Sequence, residues 1–267
     1  MLFRMLKYDL LHGTVAQWKR FVILGAVIIF SCVMFVVNYQ KPLGLSQVNF
    51  SDLILWNFRG MKSIDNIKSL FITSNGLWLM INLFLAVLVS TYTKNEMSGI
   101  GQILMIKSGK KSLWWLSKSL WCLFTVTFFY IVIIAAILLF SLFTGDIKAP
   151  VQLPVLHKLV NQYIGENISN VMLSKYILQM IIVSMAISIF QMMISIIWPV
   201  VFSFLPVGII LVEGIFTTNQ YSIGNTLMLI RDINWNIDIR NNVTICSFLI
   251  LMTVFVGGIY LKKKDIT

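Results

Sequence analysis

The sequence predicts an all-α integral membrane protein with six transmembrane helices, and three observations carry that reading. Hydrophobic residues make up 58% of the 267 positions, charged residues only 12%, and the mean hydropathy is +0.86. A soluble domain is about 25% charged, so this chain lacks the charge to cover a water-exposed surface. Its apolar residues also fall in runs of bilayer-crossing length, since a spanning helix needs about 20 mostly apolar residues. Finally, lysine and arginine sit between those runs rather than within them.

Residues 1–20 form a short basic segment with Leu2, Phe3, Leu6 and Leu10 on one helical face and Arg4 and Tyr8 opposite, a pattern suited to an interfacial helix. The first span follows at 21–38. Twenty-five uncharged residues between Lys68 and Lys94 hold the second, at 72–92, and 27 between Lys118 and Asp146 hold the third, at 117–144. The stretch from Lys175 to Glu213 has 37 uncharged residues between its ends. As a single helix it would be about 55 Å long, against a hydrocarbon core of about 30 Å. Trp198-Pro199 and Pro206 offer the breaks, which predicts a hairpin of spans at 175–197 and 200–217. The last span, 243–261, runs into Lys262, Lys263 and Lys264. The segments at 38–70 and 146–174 are expected outside, with clusters such as Leu53, Ile54, Trp56 and Phe58 on the membrane surface.

Six spans put both termini in the cytoplasm. The inner side then carries 12 basic residues and 3 acids, and the outer side 9 and 7. This matches the retention of Lys and Arg inside, and it accounts for the net charge of +11 without nucleic acid. The three cysteines are scattered through apolar runs and offer neither a disulfide framework nor a metal-ligand spacing.

Enzymatic signatures are missing. Ser108-Gly109-Lys110-Lys111-Ser112 resembles the end of a phosphate-binding loop, but Leu104 and Lys111 stand where that loop needs glycine and Ser or Thr. The two histidines, His12 and His157, lie outside the spans, and Asp146 and Glu166 share a loop without a defined spacing. No catalytic or metal-binding residue is expected.

Three polar or amphipathic features remain. The cytoplasmic segment 93–113 contains Ile100, Ile103 and Leu104 at helical spacing, and such a face needs either a protein partner or the membrane surface. Trp114 and Trp115 then mark the inner interface, with Lys118 snorkelling toward it. In the fourth span, Ser184, Ser188, Gln191 and Ser195 are spaced 4, 3 and 4 and share one face. Polar groups in lipid must find partners, so this face either packs against helices or lines a path for substrate. Asn82 in the second span is similar. Glu213 lies at the end of an apolar hairpin. It is either wetted or paired with Arg231 or Arg240 near the outer surface, or it shapes an outer gate.

The basic N-terminal helix, the six spans with both ends inside, and the amphipathic helix between spans two and three resemble the type-2 permeases of ATP-binding-cassette transporters. Gly99-Ile100-Gly101-Gln102-Ile103-Leu104 and the stretch from Ser108 to Lys118 resemble small permeases of Gram-positive bacteria used in peptide-antibiotic export or immunity. The resemblance implies a bacterial plasma-membrane subunit with no nucleotide site of its own. It would pair with an identical or homologous permease and with two ATPase subunits that bind ATP and Mg. ATPase coupling would fall to Glu96, Ile100, Ile103, Leu104, Met105 and Ile106. The resemblance also implies a partial re-entry of the chain near Gly214 to Gly224. The second reading of the sequence is a stand-alone transporter or peptide-immunity protein.

Overall fold

The computed structural model describes residues 1–61, 76–97, 99, 101–103, 105, 109–160, 168–217, 222–235 and 239–263. Helices account for nearly all of them, and no strand occurs among the described residues. The helices are α1 (Leu2–Asp9), α2 (Trp18–Phe35), α3 (Phe50–Phe58), α4 (Gly76–Met97), α5 (Lys111–Thr144), α6 (Leu153–Val160), α7 (Asn170–Ile197), α8 (Val200–Phe216), α9 (Leu229–Trp235) and α10 (Ile239–Lys263). Five helical stretches are long and apolar enough to cross a bilayer: Leu2–Gln40, Gly76–Thr93, Lys111–Thr144, Asn170–Ile197 and Ile239–Lys263. The chain is an all-α, multi-pass membrane protein.

The expected interfacial helix is not separated from the first span. A π turn (Leu10–Thr14) and a 3-10 turn (Val15–Gln17) join α1 to α2, so the helical path runs unbroken from Leu2 to Gln40. The irregular turns let Gly13 lie flat against Trp121 and Tyr92, where a Cβ would overlap both rings.

The break in the long apolar stretch falls at the proline. Helix α7 ends at Ile197, Trp198 is extended, and Pro199 caps α8. Proline is tolerated there because the first turn of a helix has no use for its missing N–H. With 17 residues, α8 is shorter than the five long helices and carries Pro206 inside it.

The two central helices are α5 and α7. Helix α5 packs against α1, α2, α7 and α10, and α7 against α4, α5, α8 and α10. Helix α5 begins six residues before the span expected at 117, and it is about 50 Å long at 1.5 Å per residue. Trp114 and Trp115 are buried inside the bundle. Trp115 Nε1 donates to the Val254 carbonyl at 2.7 Å, and the backbone of Gly257 lies against the same ring.

A second departure concerns the loop after α2. Leu53, Ile54 and Phe58 of α3 are buried in the core, not spread on the membrane surface. Trp56 Nε1 donates to Ser31 Oγ at 2.9 Å, which ties α3 to α2. Asn49 and Asp52 form a capping box at the start of α3. Asp52 also accepts from the backbone N–H of Gln152 at 2.8 Å and from Gln152 Nε2 at 2.9 Å, joining α3 to the chain ahead of α6.

Candidate functional site

Among the buried polar regions of the described residues, two bear on function. The first is the face of α7 that the sequence singled out. Ser184, Ser188, Gln191 and Ser195 are all buried. With Asn82, the first three line a small cavity of about 20 Å³ closed by Leu85 and Ala86 of α4, Val207 and Leu211 of α8, and Leu227. That is room for roughly one water. The polar groups turn to nearby partners. Ser184 Oγ and Tyr130 OH are 2.8 Å apart, Gln191 Nε2 donates to the Ala86 carbonyl at 3.1 Å, and Asn82 Nδ2 to the Trp78 carbonyl at 2.9 Å. Ser195 bonds within its own helix, to the Met192 carbonyl at 2.7 Å, and does not line the cavity.

Glu213 stands apart from that cavity. It sits in the last turn of α8 with its side chain exposed. Arg231, one of the two partners considered for Glu213, makes other bonds. Arg231 is buried, and its guanidinium donates to the carbonyls of Gly214, Ile215 and Thr217, to Asn225 Oδ1, and through Nε to the Met61 carbonyl at 3.2 Å. The carbonyls at the end of a helix lack intrahelical donors, and one cation here satisfies three of them. Burial lowers the guanidinium from its ordinary range to about 10, which leaves it cationic at neutral pH. The chain after α8 thus folds back on the bundle. The Gly214 and Gly224 backbones touch where neither has room for a Cβ, and Trp78 Nε1 donates to the Leu227 carbonyl at 2.7 Å.

The second region is at the start of α5, and sequence reasoning missed it. Lys118 is only 3% exposed and does not snorkel. Its Nζ lies 2.5 Å from Asp9 Oδ1 of α1 and 2.5 Å from Glu96 Oε2 at the end of α4. Asp9 accepts further bonds from Tyr92 OH at 2.8 Å and Ser117 Oγ at 2.6 Å. The rings of Tyr92 and Trp114 face the ammonium, with centroids 4.9 and 5.3 Å away. Two carboxylates and one ammonium thus share a closed site that joins three elements. Gly101 packs on Glu96 so tightly that a Cβ would overlap its carboxylate.

Glu96 therefore has a defined place, at the root of the segment between α4 and α5. Of the other residues expected to couple to an ATPase, Ile103 is 52% exposed and Met105 is buried. Ile100, Leu104 and Ile106 lie outside the described residues. The sequence did carry a signal for the missed cluster. Asp9 is the only acid before Asp52, and Lys118 lies within an apolar helix start among Trp114, Trp115 and Trp121. An ionisable residue in such a setting calls for a named partner.

No family model, no curated protein and no solved structure matches the chain.

Proposed function

We propose that this chain is the membrane-spanning subunit of an ATP-driven exporter of the type-2 ATP-binding-cassette class, in the plasma membrane of a bacterium. In this reading α8 completes a set of six spans, both termini face the cytoplasm, and a separate ATPase binds ATP and Mg. The permease works as a pair, with an identical or a homologous partner. Its cargo is a peptide or another amphipathic molecule, and the face of Ser184, Ser188 and Gln191 belongs to the route that opens for it. The cavity on that face holds about one water, which fits a closed conformation.

The observation that carries the reading is the Asp9–Lys118–Glu96 cluster. A cytoplasmic segment that transmits force must be fixed at its root while its tip stays free for a partner. Glu96 is held by Lys118 at 2.5 Å, and seven positions later Ile103 presents an exposed apolar side chain. Movement of the segment would therefore pull on α1 and α5 together. The charge asymmetry of the loops supports the orientation.

The reading is tested by co-expressing the chain with candidate ATP-binding-cassette ATPase subunits. Ile103→Asp is expected to abolish co-purification of the ATPase while the permease still inserts into the membrane. Undiminished co-purification would argue for a membrane protein that works without an ATPase.

A further inference from the structure

Where α7 meets α4 and α8, two amides and two hydroxyls converge with no charged group beside them. Asn82 of α4 and Ser184, Ser188 and Gln191 of α7 form the polar side of the cavity of about 20 Å³, and every other lining residue is apolar. The bonds these groups already make decide which atoms are left over. Asn82 Nδ2 donates to the Trp78 carbonyl and Gln191 Nε2 to the Ala86 carbonyl. A carbonyl partner requires the N–H end of each amide, so Oδ1 and Oε1 are left as acceptors. Ser184 Oγ is paired with Tyr130 OH, and a hydroxyl, with one donor and two acceptor sites, keeps capacity for a further bond. Ser188 is 3% exposed, and its Oγ has no hydrogen-bond partner among the described residues.

Size and chemistry select the ligand. A buried hydroxyl without a bond is costly, and interior water is held where a polar cavity of about its own size offers two to four partners. Here two amide oxygens accept and two hydroxyls can donate, which matches both functions of a water molecule. A metal ion fits poorly. No lining residue is charged, so a cation would sit in an apolar interior without an opposite charge, at a large desolvation cost.

We propose that one water molecule is bound in this cavity as part of the fold, bridging Asn82 of α4 to Ser188 and Gln191 of α7 beneath Val207 and Leu211 of α8. Helix α7 is then joined to its two neighbours differently. Ser184 ties it directly to α5 through Tyr130, whereas part of its polar contact with α4 runs through a molecule that can exchange. The site stands on this geometry and does not depend on the transport reading.

The test is X-ray radiolysis of the full-length chain in nanodiscs, with oxidised side chains located by mass spectrometry. Hydroxyl radicals react close to the water that forms them, so a bound water marks its own lining. Leu85 and Leu211, 4% and 1% exposed, are expected to be oxidised, while Leu205 and Leu251, exposed on the outside of the bundle, are not. Ser188→Val fills the cavity and Asn82→Leu removes its amide. Each is expected to abolish oxidation at Leu85 and Leu211, with cooperative melting showing that the bundle is intact. Absence of oxidation at Leu85 and Leu211 in the unaltered protein would overturn the proposal, and so would its persistence in both variants. Equal oxidation of Leu205 and Leu251 would overturn it in favour of general wetting of the bundle. Oxidation seen in choline chloride but suppressed by sodium or potassium chloride would overturn it in favour of a monovalent cation.

Discussion

The two ends of α5 solve the same problem in different ways. Each buries a carboxylate against the helix bundle. At the N-terminal end, Asp9 and Glu96 face the ammonium of Lys118, with Tyr92 and Ser117 completing the set. At the C-terminal end, near Thr144, Asp52 is fully buried and bound by N–H groups of Asn49 and Gln152. One end is held by opposite charges on three separate elements, the other by neutral dipoles around a capping box. Burial raises the Asp52 carboxyl above its ordinary range, against the pull of those N–H bonds. The difference teaches where rigidity is needed. Both ends join distant parts of the chain, Asp9 to Lys118 across 109 positions and Asp52 to Gln152 across 100, but the ion cluster locks three helices together whereas the N–H cage ties one helix to the chain ahead of α6.

The largest expected effect comes from removing the cation. Lys118→Met leaves two buried carboxylates without compensation, and breaking a buried pair costs about 3–5 kcal/mol. A large fall in the melting temperature of the purified protein is expected, and partial recovery when Asp9→Asn is added. Additive losses in the double variant would show that the two residues are not coupled. An intermediate effect is expected at the other end. Asp52→Asn turns an amide donor toward N–H groups, at about 1–3 kcal/mol. The pH dependence has a definite sign here. A raised carboxyl pKa means that the folded protein holds this proton more tightly than the unfolded chain. Stability from this group is therefore gained as pH falls and lost as pH rises through the folded value. The unaltered protein should gain on Asp52→Asn in melting temperature as the buffer is made acidic. A gap that narrows on acidification would contradict the assignment. Tyr92→Phe should have the smallest effect, about 1 kcal/mol, although the hydroxyl both donates to Asp9 at 2.8 Å and accepts from Lys118 at 3.2 Å. A loss as large as that of Lys118→Met would mean that the Tyr92 hydroxyl, and not the cation, is the main support of the cluster, since phenylalanine keeps the ring packed on Trp121.

Much of the architecture was legible because lipid leaves a strong imprint on sequence. Apolar runs of about 20 residues set the long helices, and proline alone predicted the break at Trp198-Pro199. The face of Ser184, Ser188 and Gln191 followed from helical periodicity, which places residues three and four apart side by side. Other features left no such imprint. Leu53, Ile54, Trp56 and Phe58 are apolar all round the helix, so their pattern could not separate a membrane surface from a protein core. The Asp9–Lys118 pair spans 109 positions and the Glu96–Lys118 pair 22, and no local spacing announces either. Glu213 stood out through its charge, yet it lies exposed in the last turn of its helix, while the cavity is lined by its neighbours Val207 and Leu211.

The central claim is that the segment after Glu96 is a docking site for an ATPase. Cys32, Cys122 and Cys246 are all buried, so Ile103→Cys adds an accessible thiol for a short photoreactive cross-linker. The chain would be co-expressed in the membrane with a candidate ATP-binding-cassette ATPase subunit and illuminated there. The account predicts a covalent adduct between residue 103 and that subunit, with ATP hydrolysis retained in the purified adduct. Label recovered only on lipid, or only on another copy of the chain, would contradict it.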